Sequence, residues 1–133
     1  HCTSLGKAIL AFLPRQQVAE FVRTYGLRSY TRKTITRLSL LHSELCRTRE
    51  LGYAVDDEER EDGLRCIGAP VRDHTGRVVA AISIAGPAFR LGQDRLPALA
   101  TSVMSAAARL SASLGYQQAK GAHPVPFPKG VSR

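Results

Sequence analysis

Apolar residues recur along the chain with two different periods, and the change of period divides it into elements. Gly6-Lys7-Ala8-Ile9-Leu10-Ala11-Phe12-Leu13 is a short apolar run preceded by Thr3 and Ser4, either able to cap a helix, so a short buried helix is predicted there. Pro14 suits the first position of a second helix, in which Val18, Phe21 and Val22 recur at i, i+3 and i+4 before Gly26 stops it. Leu27 to Thr36 holds no sustained period and is rich in Thr and basic residues, which predicts a connecting loop. Helical spacing returns with Leu38, Leu41, Leu45 and Thr48, while Glu44, Arg47, Arg49 and Glu50 stay mostly outside and Gly52 ends the helix left-handed. Cys46 on this helix reads as packing.

The period then shortens to two. Tyr53 to Val55 reads as a short strand, followed by Asp56-Asp57-Glu58-Glu59-Arg60-Glu61-Asp62, which gathers six of the eleven acids of the chain; charges of one sign this close are expected to be hydrated. Asp73-His74-Thr75-Gly76 has an Asp to start a turn and a Gly to leave it, between two runs rich in Val, Ile and Ala, and so predicts a β-hairpin. If Asp73 and Gly76 close the turn, partner numbers sum to about 149 along an antiparallel ladder. Alternation puts Ile67, Ala69 and Val71 on one face with Val78, Ala80, Ile82 and Ile84, an aliphatic surface that needs helices over it. The other face holds Leu64, Cys66, Gly68 and Pro70 with Val79, Ala81, Ser83 and Ala85, and this register sets Cys66 directly opposite Ser83. Small residues there either floor a cavity or let another segment pack closely, with Cys66 as a small buried hydrophobe.

After Gly86-Pro87, Asp94 stands where it could cap a long last helix whose first turn tolerates Pro97. Leu96, Leu99, Val103, Ala106, Ala107, Leu110 and Leu114 form its apolar stripe, predicted to cover the aliphatic face near Ile82 and Ile84, and Gly115 is its stop. Residues 117–133 have proline and glycine without period and are expected to be a flexible tail.

The length and the 44% hydrophobic content suit one folded domain, and no apolar run approaches the roughly eighteen residues of a membrane helix, so a soluble, cytoplasmic protein is expected. Cys2, Cys46 and Cys66 are odd in number and far apart, which signals neither a disulfide framework nor a zinc site. The net charge of +8 invites a nucleic-acid reading, but Lys120, Lys129 and Arg133 fall in the tail. Arg23, Arg28, Arg32, Lys33 and Arg37 concentrate in one region with only Tyr25 and Tyr30 interleaved, the pattern of a solvated surface rather than a nucleic-acid interface.

Cys66, His74, Asp56 and Ser83 contain the ingredients of a nucleophile with its base. His74, however, sits in the turn, roughly eight residues beyond Cys66 along a strand that rises about 3.3 Å per residue, too far for a dyad. Catalysis is not expected, and no cofactor or metal is. The start of the first helix at Ser4, Leu5 and Gly6 has unpaired N–H groups suited to a carboxylate, and with the small-residue face it would suit a small organic acid. Asp56 beside such an anion is repulsive unless one carboxyl is protonated or Asp56 accepts a ligand hydroxyl.

Three ordered blocks, HCTSLGKAILAFLP, TITRLSLLHSELCRTRELGYAVDDEE and GLRCIGAPVRDHTGRVVAAISIAGPAFRL, resemble the effector-binding domain of the IclR family of bacterial transcription regulators. The resemblance covers residues 1–116. It implies an α/β domain of the α+β type, a GAF-like antiparallel sheet with helices on its faces, incomplete at its N-terminal side and separated from a winged helix-turn-helix that binds operator DNA. It further implies homodimers or homotetramers and a small-molecule carboxylate effector. Ligand contacts would come from Ser4, Leu5, Gly6, Asp56, Cys66, Ser83 and Ala85. Ala85 replaces a serine common in the family and Leu5 a smaller residue, which tilts the expected effector toward an aromatic or longer-chain acid. The alternative is a GAF-like thiol enzyme acting through Cys66.

Overall fold

The structure, a computed structural model, describes residues 1–117; the expected tail lies, from residue 118 onward, outside the described residues. The elements run α1 (Ser4–Leu10), α2 (Arg15–Tyr25), α3 (Leu38–Leu51), β1 (Ala54–Asp57), β2 (Leu64–Arg72), β3 (Val78–Pro87) and α4 (Leu96–Ser113). The strands form one antiparallel sheet in the order β1-β2-β3. Thr3 caps α1, its Oγ1 accepting from the Gly6 N–H at 3.0 Å. Pro14 is the residue that precedes α2, with Gly26 at φ +71° after it, and Gly52 closes α3 at φ +78°. No helix among the described residues is long and apolar enough to cross a membrane.

The hairpin turns where its residues require. Gly76 donates to the Asp73 carbonyl at 2.9 Å with φ +82°, and the Asp73 carboxylate accepts from the N–H and hydroxyl of Thr75. The register differs from the expected one. Asp73 also pairs with Arg77 through its own N–H, and an irregularity follows between Val71 and Arg72, so Cys66 faces Ala85 and Gly68 faces Ser83. Cys66 and Ser83 are therefore not direct partners. A bulge beside the turn adds residues to one strand only, and local turn chemistry does not announce it. From Val71 to Leu64 the offset is two residues, so the faces there keep the expected composition, whereas next to the turn it is one and Val78 pairs with Arg72 instead of joining the aliphatic face.

The aliphatic face carries one core: Ala69 and Val71 pack with Val103 and Ala107 of α4, and Ile82, Ile84 and Met104 join at its margin. Ile67 is fully buried with Ala100 and Tyr53. Three expectations about α4 change. Its buried positions are Ala100, Val103, Ala107 and Ser111, whereas Ala106, Leu110 and Leu114 are exposed. Ile82 and Ile84 are half-buried on β3, an edge strand among the described residues. Arg95 precedes the helix without a side-chain cap, so Asp94 does not cap it. A second core, Leu10, Ala11, Val18, Leu41 and Leu45, joins α1, α2 and α3.

On the opposite face, α1 docks against β2 at Gly68. A Cβ on Gly68 would stand 2.9 Å from the Ser4 carbonyl carbon and 3.0 Å from its oxygen. These are backbone atoms of a helix held on both sides, so neither yields cheaply. Gly68→Ala is expected to destabilise the fold by about 1–3 kcal/mol, the range for overpacking. Urea denaturation checks it, and an unchanged midpoint would mean that α1 does not sit tightly on the sheet.

Candidate functional site

Two rows of residues cross the sheet beneath α1. Asp56, Cys66 and Ala85 are paired in succession across β1, β2 and β3, and Ala54, Gly68 and Ser83 form the next row on the same face. Ser4 lies over Gly68, fully buried, with Leu5 and Gly6 following in the same turn. Six of the seven residues singled out from sequence thus have one neighbourhood: Ser4, Gly6, Asp56, Cys66, Ser83 and Ala85. Leu5 is 40% exposed and points less decisively to that face. The Gly6 N–H is taken by Thr3, so the donors of the first turn that lack an acceptor within the helix are those of Ser4 and Leu5.

Exposure rises across the first row. Asp56 is buried, Cys66 half-buried and Ala85 exposed, as is Ser83 beside it. Asp56 Oδ1 accepts from the N–H groups of Glu59 at 2.8 Å and Arg60 at 3.3 Å. Burial nonetheless dominates and holds the Asp56 carboxyl above the ordinary carboxylate range, with the two N–H donors and Lys7 acting the other way. Burial also raises the Cys66 thiol, and the Asp56 charge adds to the effect. His74 stands in the hairpin turn and supplies no base to Cys66.

The organising charge was not anticipated. Lys7, in the middle of α1, is wholly buried; its Nζ donates to Glu59 Oε1 at 2.5 Å, to Glu44 Oε1 at 2.9 Å and to the Val55 carbonyl. It ties α1 to α3, to β1 and to the acidic loop. The acidic run is accordingly less hydrated than expected. Asp56 and Glu59 are buried, Asp57 pairs with Arg65, and Glu58 pairs with Lys33 at 2.7 Å. The Thr- and base-rich loop supplies the remaining clasp, as Thr34 donates to the Glu59 carbonyl at 2.5 Å and Thr31 to that of Glu58 at 2.7 Å. The signal that could have located Lys7 was a lone cation inside an apolar helical run, with a dense acidic segment elsewhere to receive it. Cys46, by contrast, is exposed, its sulfur accepting from Arg49 at 3.2 Å. Three clefts open elsewhere on the described residues, and the face beneath α1 lines none of the three.

Sheet order, helix placement and this clustering define an α+β domain of the kind found in bacterial regulators. Residues 1–112 match the family described as bacterial transcriptional regulator IclR C-terminal, and the chain belongs to that family. It is similar to the HTH-type transcriptional regulator KdgR of Escherichia coli, with 37% identity over 96% of this chain and 46% of that protein. The chain thus spans about half the length of the curated relatives it matches. The crystal structure of the C-terminal domain of E. coli KdgR superposes with a TM-score of 0.81 at 38% identity, over 86% of this chain and 70% of the other. A double mutant of the inducer-binding domain of PobR from Acinetobacter, in complex with 3-hydroxybenzoic acid, matches with a TM-score of 0.77 at 29% identity, over 84% of this chain and 64% of the other.

Two outcomes are expected from these charges. Lys7→Met leaves Glu44 and Glu59 without their shared cation and should cost about 3–5 kcal/mol of stability, with partial recovery on adding Glu59→Gln; equal losses in the single and double variants in urea denaturation would argue against the pairing. The Asp56 carboxyl, raised by burial, binds its proton more tightly in the folded than in the unfolded chain. Its contribution therefore falls as pH rises from the ordinary value of 3.8 through the raised one. Asp56→Asn, which keeps an oxygen for the two N–H donors, should gain stability relative to the parent as pH rises through that window. A difference between the two proteins that does not change with pH would count against a raised Asp56.

Proposed function

We propose that this chain is the effector-sensing domain of a transcription regulator that works without catalysis, and that a small organic carboxylate is its effector. The observation that carries the reading is the pair of rows Asp56–Cys66–Ala85 and Gly68–Ser83 beneath the start of α1. Ser4, Leu5 and Gly6 supply the turn above, Ser83 a hydroxyl, Cys66 a thiol and Ala85 an apolar contact. An Asp56 carboxyl kept protonated can donate to a ligand oxygen, and an ionised one can accept from a ligand hydroxyl; either removes the repulsion between two bare carboxylates. The inducer-binding domain of PobR, bound to a hydroxylated aromatic acid, supports the aromatic class. In the intact protein the effector would modulate operator binding by a helix-turn-helix domain, in a homodimer or homotetramer. The thiol-enzyme reading loses ground, because a nucleophilic thiol needs a depressed pKa and burial pushes Cys66 up.

The test is a thermal-shift screen of aliphatic and aromatic carboxylic acids. An acid at about 100 times its dissociation constant should stabilise the fold by roughly 2.7 kcal/mol. Alkylation of Cys66, followed by peptide mass mapping to separate it from the exposed Cys46, should slow in step with binding. Ser83→Leu should abolish the shift. An acid that raises the melting temperature without slowing Cys66 alkylation, and that tolerates Ser83→Leu, binds elsewhere and sinks the assignment of this face.

A further inference from the structure

β1 pairs with β2 only as far as Gly68, so the segment from Ala69 to Arg72 forms a rim of the sheet with no strand beside it on that side among the described residues. A cleft of about 500 Å³ opens there between the ends of α1 and α3 and the flank of α4. Its lining is largely apolar and aromatic, with Phe12, Pro70, Met104, Ala108 and Tyr116 among the residues around it. Two guanidinium groups break this surface, those of Arg49 and Arg72. Arg72 stands over the Phe12 ring at 4.4 Å and lies 5.9 Å from the Tyr116 ring, with its Nη1 donating to the Gly76 carbonyl at 2.8 Å. Its backbone N–H is held by Ser111 Oγ at 2.9 Å, which fixes where the side chain leaves the strand. Arg49 meets only the Cys46 sulfur. Neither arginine pairs with a carboxylate among the described residues; half-buried Arg72 differs in this from the buried cations Lys7 and Arg65, while Arg49 is exposed.

We infer that this cleft is a second ligand site, distinct from the face beneath α1, and that it takes an amphipathic monoanion: a carboxylate carried on an aromatic ring. The chemistry follows from the lining. Two uncompensated forked cations recognise a planar carboxylate, in the arrangement that arginine suits better than lysine. Phe12, Tyr116 and the thioether of Met104 offer flat and polarizable contacts to a ring. The volume falls within the usual range for small-molecule sites, about 300–1,000 Å³. A ligand seated here would touch the turn after α1, α3, β2 and α4 together, which gives the domain a second input independent of Ser83 and Cys66.

The chain has one methionine, Met104, and it lines this cleft. Methyl-13C methionine labelling of the full chain therefore places a single reporter on the site. Titration with 2-naphthoate should move that methyl resonance saturably through the ring current of the ligand. Arg49→Gln and Arg72→Gln should each weaken binding by about fivefold to tenfold, the neutral 2-naphthamide should bind at least tenfold more weakly, and Ser83→Leu should change nothing. Arg49 is exposed on a helix face, so its variant decides the matter should Arg72→Gln fail to fold. The inference is overturned by a methyl signal that does not shift up to millimolar ligand, by an amide that binds as well as the acid, or by affinity unaltered in the arginine variants. A shift abolished by Ser83→Leu would assign the acid to the face beneath α1 and equally end the proposal, while leaving the effector reading intact.

Discussion

A buried ammonium group sets the geometry on which the rest of this domain depends. Lys7 has no contact with water, and an isolated charge in that position would cost several kcal/mol. Glu59, Glu44 and the Val55 carbonyl offset that cost only when α1, α3, β1 and the acidic loop stand in one relative arrangement. The same constraint reaches the candidate site by two routes. Through α1 it presses Ser4 onto Gly68, and through Glu59 it holds the loop whose N–H groups cap the Asp56 carboxyl. The helix above the face and the acid within it are thus positioned by one cation.

Much of the fold was legible because its signals are local. Thr3, Gly26, Gly52 and Gly76 act within one turn of where they stand, and each does in the structure what its type predicts. The strand faces were legible for a related reason: alternation survives any even slip, so Cys66, Gly68, Ser83 and Ala85 remained together although their pairing moved. The register itself was not, since it follows from the pairing of Asp73 with Arg77 and from the irregularity between Val71 and Arg72 rather than from a turn closed by Asp73 and Gly76 alone.

The misjudged features share a different cause. Reading Asp56 to Asp62 as hydrated treats charges by their neighbours in sequence, whereas Asp56 and Glu59 find partners from Lys7 and from backbone N–H groups three or four residues on. Likewise the stripe assigned to α4 ran through Ala106, Leu110 and Leu114 and passed over Ala100 and Met104. The buried positions of the helix are Ala100, Val103, Ala107 and Ser111, three of them small, with Leu96, Leu99 and Met104 half-buried against the same core, while Leu110 and Leu114 stay outside. Helical periodicity shows how much apolar surface a helix has, not how much of it the partner layer covers.

The direction of exposure across the sheet bears on how a ligand would lie on the proposed face. From Asp56 through Cys66 to Ala85 the environment passes from buried to open: β1 is covered by the Lys7 cluster, and β3 is an edge strand among the described residues. Polar recognition is strongest where water is excluded, so a carboxyl-bearing group gains most near Asp56 and the first turn of α1. On the proposed reading an apolar body would extend toward Ala85 and Ser83, where the sheet offers small, exposed side chains. Ala85 offers no polar partner at the exposed end, while Asp56 keeps one at the buried end. The face would, on that reading, be selective about the group at the β1 side, where Asp56 is buried, and less so toward Ser83 and Ala85, which are exposed among the described residues.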